Sequence, residues 1–217
     1  MGGVEDAGAR MADFGVYVII TKPVLSYRRV AEICVERGVR MLQLREKHLS
    51  DKEILAAASE ITAVTRGTGT LFVMNDRADL AMLAGAGAVH LGQGDVSLAE
   101  ARRIVGPDMK IGLSTHSIVQ AREAIAAGAD YIGFGPVWPT PTKAIPDPAV
   151  GLEQLSEVVS FSPVPVVAIG GIFPENLPQV LSAGARNFCL VRHLMESPDL
   201  AARIAALQSL AGSGSAR

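Results

Sequence analysis

Aromatic side chains are scarce in this sequence, 5% of 217 residues, and neither charge dominates: 20 basic residues stand against 22 acidic ones, for a net charge of −2. Nucleic-acid binding draws on basic surfaces and stacking platforms, so both deficits argue against a nucleic-acid partner. Cysteine is equally rare, with only 2 in the chain. Cys34 and Cys189 lie far apart in apolar runs with no Cys-x-x-Cys or Cys/His cluster nearby, which reads as two buried thiols rather than a disulfide or a thiolate metal site. No apolar run reaches the roughly 18 residues that a membrane helix needs. The opening MGGVEDAGAR carries acids where a secretory leader has basic and then apolar residues, and Asp6 stands where a myristoylation pattern has Ser or Thr. The expectation is a soluble, cytoplasmic protein with no membrane partner.

What is present is apolar and regular. Hydrophobic residues make up 49% of the chain and charged ones 19%, which excludes chain-wide disorder. A chain of this length can close around a single core, as α/β barrels do. We expect residues 1–13 to be a flexible tail, 14–210 one domain, and 211–217 a second flexible tail.

Short β-rich runs alternate with amphipathic, Ala/Glu/Arg-rich stretches from end to end. The strand candidates are GVYVII (15–20), MLQLR (41–45), LFVMN (71–75), AVHLG (88–92), KIGLS (110–114), YIGFG (131–135), PVVAIG (165–170) and NFCLV (187–191). The stretches between them end on glycines suited to helix C-termini, such as Gly85 and Gly128. Near-continuous apolar strands separated by helices imply a parallel sheet covered by helices. A repeat sharpens this: AGAGAVHLG (84–92), AGADYIGFG (127–135) and AGARNFCLV (183–191) share Ala-Gly-Ala, two further residues and an apolar strand, with RGVRMLQLR (37–45) a weaker copy. The copies recur every two βα units, and four double units give eight strands. The fold class is therefore α/β, a single (β/α)8 TIM barrel, favoured over an open doubly wound sheet.

Barrel enzymes build their sites at the C-terminal ends of the strands. Those ends are polar here almost throughout: Thr21-Lys22, Gln43/Arg45/Lys47, Asn75-Asp76, Gln93/Asp95, Ser114-Thr115-His116, Gly135 to Lys143, Gly170-Gly171 and Arg192-His193. Gln43, Arg45 and Lys47 alternate with Leu42 and Leu44, so one side of the strand is polar and faces the barrel axis near its mouth. Two cations pointing inward call for an anion, and a phosphate or diphosphate suits the Arg fork and the Lys point charge. A structural ion pair with Glu46 or Asp76 is the plainer alternative. Asp76 and Asp95 leave neighbouring strands opposite these cations, an arrangement that suits Mg²⁺ held between carboxylates and substrate phosphate. Asp76 precedes RADLAMLAG and could instead cap that helix, but its pairing with Asp95 beside Arg45 and Lys47 favours the metal reading. The loop GPVWPTPTK (135–143) brings Thr140, Pro141, Thr142 and Lys143 to the rim, Lys143 either as a mobile cation or as a solvated lysine. IGGI (169–172) and the exit of FCLVRHL (188–194) fit the backbone phosphate cradle that barrels form after strands seven and eight. The histidines say less: His48 and His193 read as surface residues, His90 as a satisfied core residue, and His116 as facing the mouth.

Taken together, QLREK (43–47), MNDRADLA (74–81), HLGQGD (90–95), GLSTHS (112–117), GPVWPTPTK (135–143) and IGGI (169–172) form a specific set. In order and spacing, over about residues 15–205, the chain resembles the thiamine-phosphate synthase family. The resemblance implies a transferase that joins hydroxymethylpyrimidine diphosphate to thiazole phosphate, or to its carboxylate with loss of CO₂. Thiamine phosphate and pyrophosphate would be formed with Mg²⁺ as cofactor. It implies that Gln43, Arg45, Lys47, Asn75, Ser114 and Lys143 hold the pyrimidine diphosphate. Arg45, Lys47, Lys143 and Ser114 would take part in catalysis, and Asp76 and Asp95 would hold the metal. Thr140, Pro141, Thr142, Gly171, Val191 and Arg192 would hold the thiazole phosphate. A homodimer is a further implication.

One residue departs from the pattern. Arg192 stands where the family commonly has a small Ser, and its guanidinium could pair with the thiazole phosphate or point outward. Two other readings stand beside this one: a thiazole tautomerase of the same fold, and a barrel that binds a phosphorylated ligand without catalysis. The tautomerase typically lacks an acid at the Asp95 position and has a histidine where Pro136 stands. The full diphosphate and metal set speaks against a mere binder. A Schiff-base aldolase would need a lysine at the mouth end of a strand, whereas Lys110 begins its strand at the other end.

Overall fold

A computed structural model of the chain describes residues 11–140 and 148–213. Eight strands alternate with helices: β1 (Tyr17–Ile20), α1 (Tyr27–Glu36), β2 (Met41–Leu44), α2 (Asp51–Thr65), β3 (Leu71–Asn75), α3 (Ala78–Ala84), β4 (Ala88–Leu91), α4 (Leu98–Val105), β5 (Lys110–Thr115), α5 (Ile118–Ala126), β6 (Tyr131–Phe134), α6 (Gly151–Phe161), β7 (Val166–Ile169), α7 (Leu177–Ser182) and β8 (Asn187–Cys189). A short extra helix, α8 (Val191–Met195), and the closing α9 (Leu200–Ser213) follow. The strands are parallel and pair in chain order from β1 to β8. A bridge between Val16 and Phe188 joins the last strand to the first. This is the (β/α)8 barrel expected from the repeat, with every strand found where the sequence placed it.

Period-two alternation decides what faces where. Val18, Ile20, Leu42, Leu44, Phe72, Met74, Val89, Leu91, Ile132 and Phe134 point outward into the layer between strands and helices. Tyr17, Ile19, Met41, Val73, Ala88, Tyr131, Val167 and Cys189 point inward and fill the barrel with Phe14, which packs edge-on against both Tyr17 and Tyr131. Fully burying one such side chain contributes about 1.5–3 kcal/mol, so these two layers carry the fold. Both cysteines are buried free thiols, as expected, and burial pushes each thiol up to about 12.

Helix entries are set locally. Ser50 and Ser97 cap α2 and α4, each with a Glu three residues on that reaches back to the Ser backbone. At the other end of α3, Gly85 takes a left-handed conformation (φ 64°) that releases the chain into β4.

The seam between β8 and β1 is held by Asn187. Its Oδ1 accepts from Phe14 N at 2.6 Å and Gly15 N at 3.1 Å, and its Nδ2 donates to Asp13 Oδ1 at 2.8 Å. Residues 11–13, within the segment expected as a tail, therefore meet the barrel floor, where Met11 packs beneath the interior cluster. At the far end α9 continues through Ser213, past the expected start of the second tail. Replacing Asn187 by Ala leaves the buried N–H of Phe14 and the partly buried N–H of Gly15 without this acceptor, at a cost of about 1–3 kcal/mol. Urea unfolding of Asn187→Ala should show a midpoint lowered accordingly; an unchanged midpoint would mean that the seam does not depend on this side chain.

Candidate active site at the barrel mouth

The strand ends surround a cavity of about 140 Å³. Gln43, Arg45, Asn75, Ser114, Thr140, Gly171, Val191 and Arg192 line it, together with His90, His116, Phe173 and His193. Of the site residues expected from sequence, these first eight are brought together around one cavity. Lys47, Asp76 and Asp95 form a separate cluster outside this lining. Pro141, Thr142 and Lys143 lie outside the described residues.

Gln43 is buried on the inner face of β2, and its Nε2 donates to the Tyr17 hydroxyl at 2.9 Å. Arg45 follows two residues later and is anchored by its backbone N–H, which donates to Ile20 O at 2.9 Å. Glu46, between the two cations, is turned away. It accepts from Lys22 N at 2.6 Å and from the Tyr27 hydroxyl at 3.1 Å, so it neutralises neither Arg45 nor Lys47.

Lys47 instead meets Asp76, Nζ to Oδ2 at 3.1 Å, with the lysine half exposed. Asp76 is not a helix cap: α3 begins with Arg77 at its cap position and has no side-chain cap. Asp76 has φ 61°, in the left-handed region, while its N–H donates to His90 O at 2.8 Å. A non-glycine residue held there is strained unless its surroundings fix it, and such positions gather at functional sites. The strained turn aims the carboxylate toward Lys47 and Asp95. Asp95 accepts from Gly92 N at 2.7 Å through Oδ2 and lies within hydrogen-bonding reach of the Asp76 carboxyl.

Burial, and then the neighbouring Asp76, raise the Asp95 carboxyl above its ordinary value, against the lowering effect of the Gly92 N–H and Lys47. Two facing carboxylates present hard oxygen donors, and among the described residues no group of three or more His, Cys, Asp or Glu gathers to enclose a metal. This donor set fits a cation that draws its remaining ligands from substrate and water, as Mg²⁺ does.

On the opposite side, Gly170 (φ 93°) and Gly171 (φ 66°) are pressed against the loop after β6. A Cβ on Gly170 would fall 2.4 Å from Pro136 Cβ, and one on Gly171 would fall 2.5 Å from Trp138 Cβ. Trp138 packs the loop onto the outer core, and its N–H donates to Gly170 O at 3.0 Å. The backbone after β7 thus lies bare toward the cavity beside the first turn of α8, which has no side-chain cap. Arg192, the departure from the family pattern, lies on the cavity wall, its guanidinium 5.6 Å from the centre of the Phe173 ring.

The histidines correct part of the sequence reading. His193 is no simple surface residue: it is half-buried on the cavity wall, with Arg203 Nη1 at 2.7 Å from its Nδ1, and burial and Arg203 lower its pKa. His116 lines the mouth and bonds through Nδ1 to the Gly135 carbonyl. His90 is satisfied on both ring nitrogens, yet it also lines the site. Parity was the available signal, since His90 is two residues beyond inward-facing Ala88. Lys110 pairs with Asp130 at 3.0 Å at the opposite end of its strand from the mouth, which leaves no strand lysine for a Schiff base at the mouth among the described residues.

Among the described residues, no helix is long and apolar enough to cross a membrane. A family model described as thiamine monophosphate synthase matches residues 16–194. The chain is 42% identical over 175 residues to the thiamine-phosphate synthase of Caldicellulosiruptor saccharolyticus, covering 81% of this chain and 79% of that one. With the enzyme of the same name from Anaeromyxobacter dehalogenans it shares 40% identity over 212 residues, 97% of this chain and 93% of the other. The solved thiamine phosphate pyrophosphorylase from Pyrococcus furiosus superposes with a TM-score of 0.83 at 31% identity, over 93% of this chain and 97% of that one.

The raised Asp95 value has a consequence for stability. The folded state holds this proton more tightly than the unfolded chain, whose Asp titrates near about 3.9. Stability is therefore lost as pH rises from that value through the raised folded one. Asp95→Asn removes the opposition to Asp76 and should raise the melting temperature at pH 7 in EDTA, with the gain vanishing at pH 3; a lower melting temperature at pH 7 would contradict this.

Proposed function

The chain belongs to the thiamine-phosphate synthase family and has its transferase activity, and we propose that the mouth of the barrel carries it out with the residues just described. The observation that carries the reading is the sorting of charge around one rim. Cations and amides from β2 and β3 stand beside two carboxylates, and bare backbone after β7 and β8 lies across the cavity. The first group suits a diphosphate with its metal, the second a monophosphate, in the position where barrels commonly bind phosphate.

The pyrimidine diphosphate enters with its ring toward Gln43, Asn75 and Ser114 and its diphosphate toward Arg45, Lys47 and Lys143. The thiazole phosphate lies across the cavity, its phosphate on Gly171, Val191 and Arg192, and the family resemblance adds Thr140, Pro141 and Thr142 to this set. The carbon–oxygen bond between the pyrimidine methylene and the diphosphate breaks, and its electron pair leaves with pyrophosphate. The methylene carbon is left cationic, its charge delocalised into the electron-rich aminopyrimidine. The thiazole nitrogen lone pair then forms the new carbon–nitrogen bond, giving thiamine phosphate. No protein nucleophile is needed; what the site must supply is charge opposite the departing oxygens and alignment of the two rings.

Arg45 offers the planar fork that grips two oxygens, and Lys47 offers a point charge. Asp76 and Asp95 would hold Mg²⁺, which when bound neutralises diphosphate oxygens as charge builds on them. Without diphosphate, Lys47 is held by Asp76. Lys47 would turn from Asp76 to the diphosphate, and the Asp76 carboxylate would then be available to hold the metal.

Asp95→Asn should keep the fold and lower turnover to thiamine phosphate and pyrophosphate by on the order of 100-fold, as loss of a preorganised charge-stabilising group does. Near-normal Mg²⁺-dependent turnover in that variant would defeat the assignment. Arg192→Ala should raise the KM for thiazole phosphate about tenfold, in keeping with one charge-assisted contact of about 1.5–3 kcal/mol, with kcat little changed. An unchanged KM would mean that the guanidinium serves only the rim contact with Phe173.

A further inference from the structure

Beneath the mouth, Gln43 and Ser114 are joined by an unbroken row of hydrogen bonds through the barrel interior. Gln43 Nε2 donates to the Tyr17 hydroxyl at 2.9 Å. The Tyr17 and Tyr131 hydroxyls are 3.0 Å apart. The Tyr131 hydroxyl lies 3.1 Å from His90 Nδ1, and His90 Nε2 lies 2.9 Å from Ser114 Oγ. The row is built into the fold. Both tyrosines are fully buried, and Gly112 faces Tyr131 in the β5–β6 register, where a Cβ would fall 2.1 Å from the ring's Cζ. Only glycine there lets the phenol reach the axis.

Such a row has a direction. Each phenol carries one hydrogen and a neutral imidazole carries one, and burial raises the pKa of both phenols and keeps them protonated. With the Gln43 amide donating to Tyr17, Tyr17 donates to Tyr131, Tyr131 to His90 Nδ1, and His90 Nε2–H to Ser114. The Ser114 hydrogen is then left for the cavity, and Gln43 offers the cavity its Oε1, for which no partner is found among the described residues. Any break in this order leaves a buried hydroxyl hydrogen without an acceptor. Reversal would require the amide to turn over and both phenols and the imidazole to switch together. The two ends therefore present opposite polarities that cannot be changed independently.

We propose that Tyr17, Tyr131 and His90 are positioning residues that fix Gln43 as an acceptor and Ser114 as a donor, so that the mouth selects a heterocycle with an N–H for Gln43 and a lone pair for Ser114. This rests on the reading above, in which those two side chains face the pyrimidine ring. The selected edge is that of an aminopyrimidine. An analogue whose exocyclic amine is replaced by oxygen offers Gln43 an acceptor in place of a donor, and should be refused.

The test compares kcat/KM for the amino and oxo pyrimidine diphosphates in the wild-type protein and in Tyr131→Phe, which removes only the middle hydroxyl. The wild type should prefer the amine strongly, and Tyr131→Phe should erode that preference by about tenfold or more, the worth of a fixed polar contact. The KM for thiazole phosphate and inhibition by pyrophosphate should not move. If Tyr131→Phe folds poorly, Tyr17→Phe cuts the next link and should erode the preference equally, and the double variant should lose no more than either single one. Nitrogen-15 spectra of histidine-labelled protein supply a readout free of activity. The His90 signal, identified by its loss in His90→Gln, should show the Nε2–H tautomer in the wild type and a mixture in Tyr131→Phe. An unchanged preference in both single variants, or a His90 tautomer indifferent to Tyr131→Phe, would overturn the proposal. A wild-type protein with no thiamine phosphate formation would defeat the functional reading instead, and the tautomer experiment alone would then decide whether the row is polarised.

Discussion

Everything at the mouth follows from one constraint: in a closed parallel barrel, all eight strands end on the same rim, and every second residue faces the axis. A short strand can thus bury Leu42 and Leu44 against helices while carrying Gln43 toward the interior and Arg45 onto the cavity wall. The same parity sends Tyr17, Tyr131 and His90 inward from three strands that are distant in sequence. Side chains from strands across the barrel thus meet at one site, joined there by residues of the turns and loops that leave the strand ends.

The outer layer is mainly apolar and its buried threonines bond to backbone carbonyls, whereas the polar side chains that reach the site are carried by the inner layer. Its floor is closed by Phe14 stacked edge-on against the two tyrosines. Its middle carries the row of hydrogen bonds from Gln43 to Ser114, and its rim carries the charges. Strain is confined to that rim, where Asp76 adopts a left-handed conformation and Gly170 and Gly171 lie tight against Pro136 and Trp138. Asp95 is likewise raised by burial and by a second carboxylate. These features work against stability and serve charge placement, which is the expected pattern at a functional site.

Much of this was legible in the sequence because it is written in local patterns. The Ala-Gly-Ala repeat marks every second return to the barrel from β4 onward, and alternation within MLQLR separates core from rim. The family resemblance rests on such patches too, and the relatives bear it out. What was not legible is non-local. His90 read as a satisfied core histidine, which it is, but its place on the site was hidden because its partners, Tyr131 and Ser114, come from other strands. Asp76 read as a plausible helix cap because nothing in its neighbours betrays a positive φ. His193 read as surface because the cavity wall beside α8 exists only once β8 has closed against β1. Gly112 stood within GLSTHS, but its packing role was hidden because the Tyr131 ring it makes room for comes from the next strand.

The most direct measurement of the central claim is product formation by the purified protein with hydroxymethylpyrimidine diphosphate, thiazole phosphate and Mg²⁺, with and without EDTA. The account predicts thiamine phosphate and pyrophosphate in equal amounts, abolished by the chelator. A folded protein that binds the substrates but forms neither product, or that forms both undiminished in EDTA, would contradict it.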